Sequence, residues 1–377
     1  LQLFAASQQW ATRTVDETFL SLEDMLGFYA GLRQTSRERI MSNRDLQFVP
    51  AEGGELKVIN RNGAQAGLTN WAMGQLASLA GAEQGYLTKL PPELAADCMN
   101  WGLQRLRKVE ELGILVSKAP QAQGSALQLR AATGPRYGRI WNEEVLRGLV
   151  GRFGDGLPGS GDWTIPGYFG QRPTEVTKEN STLWGGDRDM FVFLADEKNL
   201  IEVPGRRQGR ASPMSRGFFC WNSEVGARSF GIATFYFDFV CSNRIVWGAR
   251  DYREITIRHS AGAPHRWIEQ ALPAIELMQQ AGTHDILSSI AQAKKQRLDA
   301  DSVDVFLAGR FGKGLVEPFK KQALAEEDRP IENTWDVICA ATAYARGIQN
   351  QDARVALERK AGELMPEAEG RQGVPCL

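Results

Sequence analysis

Apolar positions recur at helical spacing early in the chain, where Leu20, Leu22, Met25, Leu26 and Tyr29 form a loose stripe. The basic cluster Arg33, Arg37, Arg39 and Arg44 follows, and residues 1–45 read as helical or irregular. Asp45 to Pro50 and Glu55 to Asn60 read as two strands around Gly53-Gly54, a hairpin signal. Thr69 is placed to cap a helix through Leu79, with Gly81 as its stop. Pro91-Pro92-Glu93 opens another helix to about Arg107, since proline is tolerated in a first turn. Ile114 to Val116 and Leu127 to Ala131 return to a strand pattern, and Asn142-Glu-Glu starts a helix to about Phe153.

Residues 154–186 are rich in glycine and proline and make the best boundary candidate. From Met190 to His259 the pattern is antiparallel β, with strands near 190–195, 200–204, 217–225, 229–241, 244–248 and 253–259. From Pro264 the signal turns helical, through the stripe Trp267, Ala271, Ile275 and Met278 and then around 284–298, 301–309, 317–326, 333–347 and 351–364. Strands run together and helices run together, which predicts an α+β protein. The expected architecture is a twisted, mainly antiparallel central sheet with helices packed on it and a helical C-terminal section. Its expected parts are 1–153, the connection 154–186, a β core 187–262 and a helical part 263–377, built as one integrated body.

At 377 residues the chain has room for two or three domains or one multilayer body. Its net charge of -1 demands no charged partner, so any electrostatic function must come from a local patch. Cysteines at 98, 220, 241, 339 and 376 make no CxxC pair, and His259, His265 and His284 are the only histidines. That leaves too few ligands for a structural zinc site, and neither a metal nor a cofactor is expected. An odd set of dispersed thiols suits a reducing cytoplasm. No run of about 18 apolar residues occurs, so no membrane span is expected.

Several segments invite a chemical reading. Gly154-Asp-Gly156-Leu-Pro-Gly159 matches the dinucleotide fingerprint by letter, but a helix precedes it and prolines follow, so it reads as a loop. Asp187 and Asp189 flank Arg188 at a strand start, where a spacing of two puts both carboxylates on one face. The polar island Asn222-Ser223-Glu224 lacks the pattern of a nucleophile elbow and reads as a polar bend. His259 ends a strand beside Arg258, a poor setting for a general base. No catalytic residue is assigned.

Arginine carries the strongest functional hint. Arg206, Arg207, Arg210 and Arg216 fall in a turn-rich loop expected to be exposed, and Arg244, Arg250, Arg253 and Arg258 follow. Trp221, Asn222, Trp247 and His259 lie among them. Guanidinium groups beside aromatic faces suit single-stranded nucleic acid, which needs phosphate neutralisation and base stacking. These residues form the expected nucleic-acid face; an ordinary solvated sheet face is the competing reading.

Three segments carry a family resemblance: Gly186-Asp-Arg-Asp-Met-Phe-Val-Phe-Leu194, Arg216-Gly-Phe-Phe-Cys-Trp-Asn-Ser-Glu-Val-Gly226 and Val240-Cys-Ser-Asn-Arg-Ile-Val-Trp-Gly248. With Ile257-Arg-His-Ser260, Asn333-Thr-Trp-Asp336, Trp71-Ala-Met-Gly-Gln75, Gly85-Tyr-Leu87 and Leu90-Pro-Pro-Glu-Leu-Ala-Ala96, the chain resembles the phage/plasmid-like "domain of unknown function 932" proteins. Thr133-Gly-Pro-Arg-Tyr137 departs from the serine-centred turn often found there. The resemblance implies a cytoplasmic product of phages, prophages or plasmids and no established reaction. The leading expectation is therefore binding of nucleic acid, single-stranded DNA foremost, by a protein with no membrane partner and open to self-association. The alternatives are an enzyme acting on nucleic acid or nucleotide through Asp187, Asp189, Glu224 and His259, and a protein-interaction or counter-defence factor.

Overall fold

The computed structural model describes residues 15–51, 54–106, 110–118, 126–165, 175–179, 181–196, 198–206, 210–238, 243–245, 255–271, 273, 284–348 and 351–366. Within these, the side chains of 204–206, 210–212, 234, 235, 237, 238, 243–245, 285, 351, 352, 354 and 355 are not described.

The fold is α+β, and its strands divide between two sheets. The first has six strands: β1 (Arg37–Ser42), β2 (Leu46–Pro50), β3 (Leu56–Asn60), β4 (Gln65–Leu68), β5 (Glu111–Lys118) and β6 (Leu127–Thr133). Their order is β1-β5-β6-β4-β3-β2, antiparallel except where β4 runs parallel to β6. Strand β1 arises inside the basic cluster of the sequence. Its first four residues are exposed, so it carries no apolar alternation and owes its conformation to pairing with β5.

Helix α1 (Leu22–Thr35) precedes this sheet, and α2 (Asn70–Ala80), α3 (Gln84–Leu87) and α4 (Pro92–Gln104) lie within its connections. Thr69 Oγ1 accepts the Ala72 N–H at 3.1 Å, and Gly81 ends α2 at φ 73°, a left-handed turn that glycine adopts without strain. Leu76, Ala77, Met99 and Leu103 from α2 and α4 pack on Phe48, Val58 and Leu129 of the sheet. Asn100 on α4 meets the outer edge of β2, accepting the Phe48 N–H at 2.8 Å and donating to its carbonyl at 2.9 Å. That side-chain amide and Pro50 blunt an edge that would otherwise invite another strand.

The second sheet is antiparallel. It contains β7 (Trp163–Thr164), β8 (Leu183–Gly185), β9 (Met190–Asp196), β10 (Ile201–Arg206), β11 (Arg210–Asn222), β12 (Phe230–Asp238), β13 (Asn243–Ile245) and β14 (Ile255–Ile257). Its main path is β13-β12-β11-β9-β7, with β8 on β9, β10 on β11 and β14 on β12. Helices α1 and α5 (Asn142–Phe153) pack on it through Met25, Tyr29, Leu146 and Phe153, which meet Val192, Phe218 and Cys220. Helix α6 (Ala263–Arg266) continues as a π-helical turn at Trp267–Ala271 and sets Trp267 against Phe230 at 4.7 Å.

The start of the glycine-rich connection is bonded to α1. Asp155 accepts the Glu23 N–H at 2.8 Å through its side chain and the Leu22 N–H at 2.9 Å through its carbonyl, capping α1. The fingerprint-like glycines therefore close a loop, and no helix follows them directly in the described residues. The C-terminal helices are α7 (His284–Lys295), α8 (Ala300–Phe311), α9 (Val316–Glu327), α10 (Thr334–Arg346) and α11 (Gln351–Gly362). They share a core with Ile201, Val203, Met214 and Tyr236 of the second sheet. Asn333 caps α10 by accepting the Asp336 N–H at 3.0 Å, and Trp335 is buried beneath, which gives that motif a structural task. Of the helical stripe read after Pro264, Ile275 and Met278 lie outside the described residues. Among the described residues no helix is long and apolar enough to cross a membrane.

Candidate functional site

The island at the end of β11 is buried where the two sheets meet. Asn222, Ser223 and Glu224 are each at most 1% exposed. A carboxylate in such a place must find a partner, because desolvation without pairing is costly. Glu224 finds two. Oε2 accepts from Arg130 Nη2 at 2.9 Å, and Oε1 accepts the backbone N–H of Asn142 at 2.9 Å, at the positive N-terminal end of α5. Arg130 belongs to β6, so one carboxylate ties the first sheet, the second sheet and α5 together.

The neighbouring side chains complete the clasp. Asn222 Nδ2 donates to the Ile140 carbonyl at 2.8 Å and to Asn142 Oδ1 at 2.7 Å. Ser223 Oγ donates to the Arg188 carbonyl at 2.7 Å and accepts the Ala227 N–H at 3.0 Å. Tyr137 donates its hydroxyl to the Ser223 carbonyl at 2.8 Å. Trp71 Nε1 and Gln75 Nε2, one turn apart on α2, both donate to the Val225 carbonyl, at 2.9 and 2.8 Å. The Ser223 hydroxyl has no base beside it among these partners and serves as a turn-forming group.

His259 is also structural in its setting. Its Nδ1 lies 3.0 Å from the Gly138 carbonyl and its ring stacks on Tyr137 at 4.8 Å. Burial draws it down to about 4, and the Arg139 charge pushes the same way, so the ring is neutral at neutral pH. Gly138 permits this approach: a Cβ there would stand 1.9 Å from the Ser260 carbonyl oxygen. Burial likewise pushes the Tyr137 hydroxyl far above its ordinary range.

The acids expected to converge do not. Asp187 is exposed, while Asp189, two residues on, is buried and bound to Arg228 Nε at 2.7 Å. Strand β9 begins only at Met190, so the two-residue period does not govern this pair. Glu224 faces Arg130, and His259 faces Gly138. Among the described residues no three His, Cys, Asp or Glu side chains are grouped to hold a metal.

Of the residues expected to form the nucleic-acid face, those whose side chains are described include both buried and exposed groups. Arg216 is buried in β11 and paired with Asp196 at 2.7 Å instead of lying in an exposed loop. Trp221 is 1% exposed and lies across β12, where a Cβ on Gly231 would stand 2.0 Å from its ring. That ring serves packing in this conformation, as the Asn222 amide serves the clasp. Arg258 is exposed. Arg206 and Arg210 pair across the β10–β11 hairpin and Arg244 lies in β13, their side chains not being described. Arg207, Trp247, Arg250 and Arg253 lie outside the described residues.

Two other arginine–aromatic settings emerge. At the rim of the junction Arg33 lies over Trp141 at 3.8 Å, Arg139 over Trp141 and Tyr137 at 5.5 and 5.1 Å, and Arg188 over Trp71 at 5.7 Å. Trp71, Trp141 and Val225 share one apolar cluster beneath these arginines. The second is a groove of about 980 Å³ between α4 and the start of β2, lined by Arg44, Gln47, Asp97, Cys98, Trp101 and Gln104. Trp101 is 64% exposed there, with the Arg105 guanidinium 5.7 Å from its ring.

Sequence reasoning passed over both settings. Arg130, the one charged residue of the strand segment Leu127–Thr133, was the available signal for a buried counter-charge. Trp101 lies off the buried stripe Ala95, Ala96, Met99 and Leu103 of α4, which signals an outward-facing indole. No protein-family model, curated protein or solved structure matches this chain.

Proposed function

We propose that the protein binds nucleic acid, single-stranded DNA in preference to duplex, and that it acts as a binding protein of a phage or plasmid. The observation that carries this reading is the rim of stacked arginines, Arg33 over Trp141 and Arg188 over Trp71, where the two sheets meet. Stacked guanidinium groups are held in fixed planes and present their edges to phosphate, and the half-buried Trp71 beside them offers a ring to a base, Trp141 being buried beneath Arg33 and Arg139. The enzymatic alternative gains nothing from this geometry, because Asp189, Glu224 and His259 are each committed to a partner within the fold.

A second reading, a protein-interaction module, draws on Tyr86, Leu94 and Trp101, which are 60%, 48% and 64% exposed on α3 and α4. Titration of labelled single- and double-stranded oligonucleotides at two salt concentrations tests the first reading. Removing one phosphate-binding group from the single-strand complex lowers the salt slope by about 0.7. Arg33→Ala with Arg188→Ala is expected to lower both affinity and slope, as is the triple change Arg206→Ala, Arg207→Ala and Arg210→Ala; unchanged binding by the triple variant would remove those three arginines from the site. No binding to either probe at low salt would remove the proposal.

A further inference from the structure

The groove between α4 and β2 carries an exposed indole in its wall. Helix α4 buries Ala95, Ala96, Met99 and Leu103 on one side and turns Asp97, Trp101, Gln104 and Arg105 outward on the other. An indole 64% exposed at a concave wall leaves a large apolar face in water, although α4 has a core to bury it in. Asp97 and Arg105 stand one turn before and one turn after Trp101, so the ring has an acceptor at one end and a cation at the other. Across the groove, the 3-10 turn before β2 presents Arg44, exposed, and β2 presents Gln47, also exposed. Asn100 on the same helix is held by the β2 backbone, which fixes the spacing of the two walls.

We infer that this groove is a nucleotide subsite of a single strand, with a base stacked on Trp101 and its phosphate drawn to Arg44. The inference rests on the nucleic-acid reading above and assigns it a subsite away from the junction. A π-face answers any base, so stacking is tolerant of sequence. Arg44 supplies the planar, two-pronged donor that a phosphate oxygen pair fits. Asp97 is the carboxylate lining the groove among the described residues, and it suits the donor edge of a base and not a phosphate. The volume of about 980 Å³ fits a nucleotide with room for the chain to enter and leave.

The test is a titration of a labelled single-stranded 20-mer against the full chain and its Trp101→Ala, Trp101→Phe and Arg44→Ala variants. Trp101→Ala is expected to weaken binding about 5- to 150-fold, the equivalent of the ~1–3 kcal/mol of one stacked base. Trp101→Phe, which keeps an aromatic face, is expected to restore most of that loss. Arg44→Ala is expected to lower the salt slope by about 0.7. Ten tryptophans share the intrinsic fluorescence, so quenching by the 20-mer is read as the difference between the full chain and Trp101→Phe. Full-strength binding by Trp101→Ala would overturn the subsite and leave the nucleic-acid reading standing. No binding of the 20-mer by the unaltered chain would overturn both. Equal weakening by Trp101→Ala and Trp101→Phe would assign the site to the indole N–H and overturn the stacking role.

Discussion

The junction and the groove are made from the same residue types, and the fold uses them oppositely. At the junction Arg130, Arg139, Trp141 and Glu224 are all buried, and the hydrogen bonds of Glu224 run to groups within the chain. In the groove Arg44, Asp97 and Trp101 face water. A charge removed from solvent must be paired by the fold itself, so Glu224 is committed to Arg130 and the start of α5 in joining two sheets, while Arg130 Nε and Nη1 stay buried without a hydrogen-bond partner. The groove leaves its indole and its charges open to a visitor. Burial, and not residue type, separates a structural polar cluster from a candidate binding one.

The largest expected effect comes from breaking the clasp. Glu224→Ala leaves the Arg130 guanidinium buried without its counter-charge and is expected to destabilise the fold by about 3–5 kcal/mol in denaturant titration. A variant of unaltered stability and altered DNA affinity would reverse the comparison, making the buried clasp, and not only the arginine rim above it, part of the working site. Trp221→Ala opens a cavity beside Gly231 and is also expected to cost about 3–5 kcal/mol, with binding by the folded fraction retained. Loss of binding without loss of stability would return Trp221 to the nucleic-acid face.

A pH series sharpens the same contrast. His259 is drawn down to about 4 from an unfolded value near 6.5, so between those values the unfolded chain binds the extra proton. Its contribution is therefore complete above about pH 6.5 and is lost as pH falls toward 4, to at most about 3 kcal/mol. Melting temperatures of the protein should fall more steeply over that window than those of His259→Gln; parallel slopes would mean that burial does not hold the ring neutral. The smallest effect belongs to the groove. Trp101→Ala and Arg44→Ala should change stability by no more than about 0.5 kcal/mol, since both side chains are exposed. A loss of several kcal/mol from Trp101→Ala would make the indole part of the core and erase the difference between the two regions.

Local signals in the sequence are legible where they act within a few residues. Thr69 and Gly81 bound α2 as expected, and the helices after His284 fall close to their apolar stripes. Strands β2 and β3 pair antiparallel, as the hairpin signal required. Strand β1 was not legible, because four exposed residues carry no alternation and only β5 makes them a strand. Of the expected arginine face, the composition was legible and the burial of Arg216 and Trp221 was not. Arg216 met Asp196 across the sheet, and Trp221 turned toward Gly231.

What the chain determined by itself is therefore the α+β class, the places where helices start and stop, and the presence of a polar island that had to be satisfied. Each follows from caps, periodicity or the cost of burying a charge, which are properties of neighbouring residues. The tertiary structure alone decided that Glu224 meets Arg130, 94 residues earlier, and that Trp101 is left in water. Partner choice over such separations depends on how two sheets and their helices stack, and burial depends on what that stacking covers; neither is encoded within the reach of a local pattern.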